Sequence, residues 1–301
     1  MQIKDFTSEV ENKGILCVND EPMCKHTTFH IGGNADVFIT ASSAEQVKTI
    51  ISAADKYNVP LFCIGRGSNL LVSDKGIEGA VISLAGINDI SVKGNRITAG
   101  AGVPLSALCI AAREASLSGI EFAFGIPGGV GGALFMNAGA YGGEMSNVVV
   151  SAECVDKTGN IRTLSHDEMA LGYRTSIFKD EELLIISVTV ELEKAEKADI
   201  AALMEKYANS RKEKQPLESP SAGSTFKRPQ GHFAGALIES SNLKGTCCGG
   251  AQVSTKHAGF VINKGNATCA DVRELIKKIQ DTVLEHDGVK LETEVIFVGR
   301  E

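Results

Sequence analysis

No two cysteines in this chain stand in C-x-x-C spacing and none of its six histidines approaches a ligand pattern, so no metal site is expected. The eight cysteines (Cys17, Cys24, Cys63, Cys109, Cys154, Cys247, Cys248 and Cys269) sit in a chain of 301 residues, too long to need a disulfide scaffold. They read as buried thiols of a reducing compartment. No tract of Lys and Arg with interleaved aromatics occurs and the net charge is −7, which sets nucleic acid aside as a partner. The opening residues, MQIKDFTSEVENKG, lack an apolar h-region, so a secretory signal is not expected. Phe122 to Gly143 is uncharged, but Pro127, Asn137 and its many glycines make it a poor membrane span. The expectation is a cytoplasmic protein with no membrane partner.

The absent motifs are equally informative. There is no G-x-G-x-x-G after a strand, no G-K-[ST] and no G-x-S-x-G elbow, which excludes a Rossmann or Walker nucleotide site and a Ser hydrolase of the elbow type. Internal repeats and low-complexity tracts are missing too.

What is present suits a soluble enzyme: 43% hydrophobic residues, 22% charged, and 32 glycines. The length predicts about two domains. Asp36–Ala41 reads as a strand, followed by a helix whose apolar positions are Val47, Ile50, Ile51 and Ala54 and whose start carries Ser42-Ser43 before Glu45-Gln46. Pro60–Ile64 is a second strand, so the chain opens with a β-α-β unit ending in the loop Gly65-Arg66-Gly67-Ser68-Asn69. Short strands (Ala80–Leu84, Ile90–Val92, Arg96–Ala99) and a helix from Pro104 to about Ser116 follow. Val148–Val155 and Ile161–Leu164 predict a hairpin, and Leu183–Leu192 a long strand.

The charged stretch Glu193–Lys197 marks the expected domain boundary: residues 1–195, with an N-terminal lobe of about 1–85, and residues 196–301. Beyond it come a helix over about Asp199–Lys212, a loop (Gln215–Pro229), a short helix (Phe233–Glu239) and a strand at Gly259–Asn263. A helix from Thr268, with Asp271 in capping position and an apolar stripe of Val272, Leu275, Ile276, Ile279 and Val283, precedes a final strand, Lys290–Val298. The fold class is α+β.

Four segments carry chemistry. The two glycine loops, Gly65-Arg66-Gly67-Ser68-Asn69 and Gly128-Gly129-Val130-Gly131-Gly132-Ala133, allow backbone N–H groups to approach a ligand without a Cβ in the way, which suits a pyrophosphate, and the second is expected to feed a helix whose N-terminus adds a favourable dipole; the alternative is tight turns and close packing. Arg174, in the neutral stretch Gly172–Lys179 between Tyr173 and Phe178, suits a carboxylate or phosphate, or a structural ion pair. Ser224 lies in a loop with Lys227 and Arg228, as a proton donor better than as a nucleophile. Glu292 and Glu294 share a face of the final strand, in a cleft or as a solvated edge, and His257 reads as a surface or hydrogen-bonded histidine.

Together "TTFHIGGNADVFI", "IGRGSNLLV", "AGAGVPL", "GIPGGVGGALFMNAGAYG", "GYRTSIFK", "PSAGSTFKRP" and "LETEVIFVG" resemble, in order and over nearly the whole chain, the UDP-N-acetylenolpyruvoylglucosamine reductases of peptidoglycan synthesis. The resemblance implies an FAD-binding domain of the vanillyl-alcohol-oxidase (PCMH) type plus a smaller α+β substrate-binding domain. It implies noncovalent FAD and NADPH as reductant, with UDP-N-acetylglucosamine enolpyruvate as substrate and no obligatory protein partner. The implied catalytic trio is Arg174, Ser224 and Glu294. Hydride would reach the enolpyruvyl methylene, Arg174 would stabilise the resulting enolate, Ser224 would protonate it with help from Lys227 or other cations, and Glu294 would act protonated, its pKa raised by burial.

The cofactor contacts it implies are Ile64, Gly65, Arg66, Gly67, Ser68, Asn69, Leu70, Gly100, Gly102, Pro127, Gly128, Gly129, Gly131, Gly132, Ala133, Asn137, Ala138, Gly139, Ala140 and Tyr141. Tyr173, Arg211, Lys227 and Arg228 are candidates for the substrate. The few residues between Phe178 and Leu183 leave no room for the tyrosine-bearing loop of one branch of the family, so the chain resembles the shorter type. Many relatives carry Asn where Arg228 stands. Competing readings are another FAD oxidoreductase of this fold, acting on a sugar lactone or hydroxy acid, and a non-catalytic sugar-nucleotide-binding protein.

Overall fold

The structure, a computed structural model, describes residues 2–301. The chain forms two compact units, each built from three stretches: Met1–Asn19, Val37–Arg66 and Gly79–Ser210 in the first, and Asp20–Asp36, Gly67–Glu78 and Arg211–Glu301 in the second. This corrects the expected division at residue 195. The composition change at Glu193–Lys197 marks only the approach to a helix, Lys197–Lys214, which runs through the true boundary. Of the two early segments in the C-terminal unit, Asp20–Asp36 gives Phe29 and Ile31 to its core, and Gly67–Glu78 joins it because Leu70–Val72 pairs in parallel with Ile296–Val298, a contact over more than two hundred residues that no local pattern announces.

In the first unit, helix α1 (Ile3–Asn12) precedes the β-α-β unit. Helix α2 (Ala44–Lys56) starts where expected: the Ser43 hydroxyl accepts the Gln46 N–H at 3.2 Å, and the Gln46 side chain accepts the Ser42 N–H at 2.8 Å. Val47, Ile50, Ile51 and Ala54 are buried, the stripe read from the sequence. The strand order Cys17–Pro22, Asn34–Thr40, Ile77–Ser83, Leu61–Ile64 places Ile77–Ser83 between the two strands of that β-α-β unit. A second, five-stranded antiparallel sheet has the order Ile161–Ser165, Val149–Val155, Leu184–Glu191, Arg96–Gly100, Ile90–Lys93. Its core-facing residues Ile97, Ala99, Val188 and Val190 join Phe6, Ile50, Ile82, Leu108 and Leu134 in one hydrophobic core. Helix α3 (Leu105–Glu114) begins just after Pro104, which is its N-cap and not part of its first turn.

The second unit holds a three-stranded sheet (Cys247–Cys248, Ala251–Val253, Val261–Asn263) and two helices, Ala234–Ser240 and Cys269–Asp287. The longer helix has a reciprocal capping box between Thr268 and Asp271 and ends at Gly288 in the left-handed conformation, φ 69°. Its Val272, Leu275, Ile276, Ile279 and Val283 pack with Phe29, Leu71, Ile238, Val253 and Val261 into a separate core. The expected final strand is shorter than read: only Ile296–Val298 is regular strand, and the residues before it are tied down by the bridge Phe226–Thr293.

The cysteines are free, and seven of them are buried or half-buried, but Cys247 is exposed, contrary to the expectation that all are buried. No helix among the described residues is long and apolar enough to cross a membrane.

Candidate active site

The glycine segment of the first unit is held from behind by backbone bonds. A short helix, Val130–Phe135, starts at Gly129. The Val130 and Gly131 N–H groups donate to the Val103 and Ala101 carbonyls at 2.8 and 2.9 Å, and the Leu105 N–H donates to Gly128 at 3.1 Å. The first two amides of this helix are therefore used inside the protein and do not point at a ligand.

Asking what a Cβ would meet separates the glycines into two kinds. At Gly131 it would lie 2.7 Å from the Ala101 side chain, at Gly100 2.4 Å from the Ile87 carbonyl, and at Gly102 2.3 Å from the Leu84 carbonyl. At Gly129 and Gly139 it would meet Ala101 and Glu144 at 2.9 and 2.8 Å. These residues are glycine because the backbone passes close to other protein atoms. Gly65 and Gly132 differ: each is exposed, a Cβ there would meet nothing within 4 Å, and neither has positive φ. Among the described residues they are the only glycines with neither a crowding neighbour nor a left-handed backbone, and they fall one in each predicted cofactor loop. Neighbouring loops fit this: a Cβ at Gly129 would come 3.8 Å from the Arg66 side chain. The open faces at Gly65 and Gly132 are surfaces on which a bulky, flat or phosphorylated group could rest directly on backbone, so the residues present fit FAD.

Around these loops, Ile64 and Ala133 are buried, while Arg66 is exposed. Burial pushes the thiol of Cys63, just before the loop, up to about 12. Tyr141 stacks on Tyr207 with ring centroids 4.3 Å apart, and its hydroxyl donates to the Tyr207 carbonyl at 3.2 Å. Nothing in the sequence linked these two tyrosines.

Asn137, expected at the cofactor, is corrected by its surroundings. It is 0% exposed; its Nδ2 donates to the Gly172 carbonyl at 3.1 Å and its Oδ1 accepts the Ser146 N–H at 2.9 Å. With no surface and both ends of the amide engaged, it supports the loop from within and presents nothing to a ligand.

Arg174 occupies the tip of a tight turn. Gly172 and Thr175 exchange backbone bonds, N–H to carbonyl at 3.1 and 3.3 Å, so Tyr173 and Arg174 form a two-residue loop with Arg174 at φ 57°. Its Nη1 donates to the Asn137 carbonyl at 3.5 Å, and its guanidinium lies 5.0 Å from the centre of the Tyr173 ring. Tyr173 is 53% exposed. Behind the turn, Ser176, 1% exposed, donates its hydroxyl to the Phe135 carbonyl at 2.7 Å, and Phe178 is buried. Ser176 carried no signal in the sequence beyond its place in "YRTSIFK".

In the second unit, exposed Ser224 lies between Gly223, at φ 76°, and buried Thr225. Thr225 is pinned on three sides: its N–H donates to Gly259 at 2.9 Å, its hydroxyl accepts the Val261 N–H at 3.0 Å, and its carbonyl accepts the Glu294 N–H at 2.9 Å. Ser224 and Glu294 thus stand on adjacent paired segments. The Glu294 carbonyl accepts from Asn69 Nδ2 at 3.0 Å, and the Ile296 N–H donates to the Asn69 carbonyl at 2.9 Å, so the glutamate segment is held by Asn69 of the first loop. Gly67 and Ser68 lie in the same unit; the Gly67 backbone passes the His26 carbonyl so closely that a Cβ would come within 2.1 Å of it.

The candidate substrate cations have partners of their own. Lys227 Nζ is 3.4 Å from Glu292 Oε2, an exposed pair that adds little to stability. Arg228 lies 4.0 Å over the ring of Phe233, which is 62% exposed. Arg211 is 5% exposed and so is not an ordinary solvated charge. His257 is hydrogen-bonded, as read: its Nδ1 accepts the Gly259 N–H at 3.1 Å, and burial holds its pKa below the usual value.

An FAD-binding domain family model matches residues 35–165, and the model described as the C-terminal domain of UDP-N-acetylenolpyruvoylglucosamine reductase matches residues 215–298. Fold and loops together define an FAD-containing oxidoreductase. The UDP-N-acetylenolpyruvoylglucosamine reductase of Clostridium perfringens is 51% identical over 301 residues, covering 100% of this chain and 99% of that protein. That of Clostridium botulinum is 49% identical over 299 residues, covering 99% and 97%. The crystal structure of the Thermus caldophilus reductase superimposes with a TM-score of 0.81 at 33% identity, covering 94% of this chain and 98% of that one. The chain belongs to the UDP-N-acetylenolpyruvoylglucosamine reductase family.

Proposed function

We propose that this protein reduces UDP-N-acetylglucosamine enolpyruvate to UDP-N-acetylmuramate with NADPH, in peptidoglycan synthesis, and that Arg174, Ser224 and Glu294 carry the chemistry. The observation that supports it best is the presentation of an exposed Ser224 on a segment whose neighbour carries Glu294, with Thr225 fixing both through its three bonds, one of them from the Glu294 N–H to its carbonyl. A rival oxidase of the same fold has no use for a proton-donating serine.

Bound FAD supplies the hydride-carrying chemistry, and the open backbone at Gly65 and Gly132 would receive it. When hydride reaches the terminal methylene of the enolpyruvyl ether, negative charge spreads into the substrate carboxylate. Arg174 meets that charge with a planar, permanently charged fork and stabilises it as it grows. Ser224 Oγ–H then gives its proton to the carbon next to the carboxylate. Glu294 donates a hydrogen bond to the same enolate from its protonated form.

A half-reaction experiment tests it. Ser224→Ala should leave reduction by NADPH intact and slow reoxidation by the enolpyruvyl substrate by about 10²–10⁴, the usual contribution of a positioned proton donor. Parental rates in both half-reactions would remove Ser224 from the mechanism.

A further inference from the structure

Among the described residues two polar side chains with almost no exposure, Asn137 and Ser176, address the same small feature, the turn that carries Arg174. The Gly172 carbonyl receives two donors, the Thr175 N–H at 3.3 Å and Asn137 Nδ2 at 3.1 Å. Because Asn137 Oδ1 also accepts from the Ser146 N–H at 2.9 Å, the amide has one possible orientation: the Ser146 amide needs an acceptor and the Gly172 carbonyl a donor. The Asn137 carbonyl takes the Arg174 guanidinium itself, and the Ser176 hydroxyl, two residues past Arg174, fastens the chain to Phe135. One residue thus touches the base of the turn through its side chain and its functional group through its backbone.

The conformation needs such support. Arg174 sits at φ 57°, a region that non-glycine residues adopt only when their surroundings over-determine it. Asn137 is itself at φ 40°, which asparagine tolerates better than most residues and which turns its carbonyl toward Arg174 while its side chain runs to Gly172. A buried amide whose donor and backbone carbonyl both engage this turn, while its oxygen is anchored by the Ser146 N–H, has a geometric task, not merely a packing one.

We propose that Asn137, assisted by Ser176, is a positioning residue that holds Arg174 in its left-handed turn and aims its guanidinium. The proposal rests on the assignment of Arg174 made above. It predicts a defect confined to the step in which Arg174 acts.

The test uses the FAD-loaded enzyme in anaerobic rapid mixing, following reduction by NADPH and reoxidation by UDP-N-acetylglucosamine enolpyruvate separately. Asn137→Asp keeps the acceptor for Ser146 but turns an acceptor toward the Gly172 carbonyl; Ser176→Ala removes one oxygen and carries the same prediction at smaller size, so the test survives a poorly folding Asn137→Asp. Reoxidation should slow by at least about tenfold in Asn137→Asp and severalfold in Ser176→Ala, with reduction by NADPH within about twofold of the parent. In an Arg174→Ala background neither substitution should cause further loss, because residues acting through one another are not additive. Equal slowing of both half-reactions, or losses that multiply in the double variants, would overturn the proposal. If Arg174→Ala slows reoxidation and the Asn137 and Ser176 variants do not, the positioning role alone falls; if Arg174→Ala is itself without effect, the functional assignment falls and takes this one with it.

Discussion

Replacing Gly132 by alanine should stabilise the cofactor-free chain and weaken its hold on FAD, two effects of opposite sign from one methyl group. In the structure a Cβ at Gly132 meets nothing within 4 Å, the residue has no positive φ, and it lies within the helix Val130–Phe135. Alanine there removes backbone freedom from the unfolded chain and gains about 0.5–1 kcal/mol, or a rise in melting temperature of roughly 1–4 °C for a unit of this size. If FAD rests on that open backbone, the same methyl intrudes on a packed surface and costs about 1–3 kcal/mol of binding, a loss of about 5- to 150-fold in affinity. Gly131→Ala is the internal control: its methyl would lie 2.7 Å from the Ala101 side chain, so it should lower the melting temperature of the cofactor-free chain itself. The assay is calorimetry of the cofactor-free chain together with titration by FAD, followed through flavin fluorescence. Parental FAD affinity in Gly132→Ala would refute the reasoning that this glycine is small for the cofactor's sake.

Three other outcomes follow from particular side chains. Glu294→Gln keeps an N–H donor and should retain reoxidation to within about tenfold, whereas Glu294→Ala should lose roughly the worth of a hydrogen bond to a charged group, on the order of 10–150-fold; equal losses would show that the carboxyl acts otherwise. Ser224→Ala, as set out above, should separate the two half-reactions, which anaerobic rapid mixing resolves directly. Asp156 accepts from the Thr158 hydroxyl and N–H and from the Asn160 N–H, which hold its pKa at about 2 against 3.8 for an unperturbed carboxyl. A depressed folded-state pKa gives stability that is present above the unfolded value and lost as pH falls through the folded one, so the melting temperature of Asp156→Ala should lie below the parent's at neutral pH and converge with it between pH 4 and about 2. A gap that persists below that range would mean that the carboxylate's charge is not what the turn uses.

Local chemistry in this chain was readable and long-range pairing was not. The helix Ala44–Lys56 could be placed from its buried stripe and the helix Cys269–Asp287 from Thr268 and Asp271, because caps and helical periodicity act over a few residues. The membership of Gly67–Glu78 in the second unit could not, since it depends on Leu70–Val72 finding Ile296–Val298. The same distinction divides the candidate site. Glycine density marked both loops, yet the sequence treats Gly131 and Gly132 alike, and only the surrounding atoms tell the crowded one from the open one. Asn137 was legible as part of a motif and not as a buried clamp on residues 172 and 174, because nothing in the chain near it names its partners. The exposed Cys247 was lost for a similar reason: it sits on a strand of only two residues, and so short an element has no pattern from which to read a face.

The most direct test of the account is the visible spectrum of the purified holoenzyme under anaerobic conditions, taken before and after NADPH and again after UDP-N-acetylglucosamine enolpyruvate. The account predicts a yellow flavin band that bleaches with NADPH and returns when the enolpyruvyl sugar is added. A band that bleaches and does not return with that substrate would contradict it.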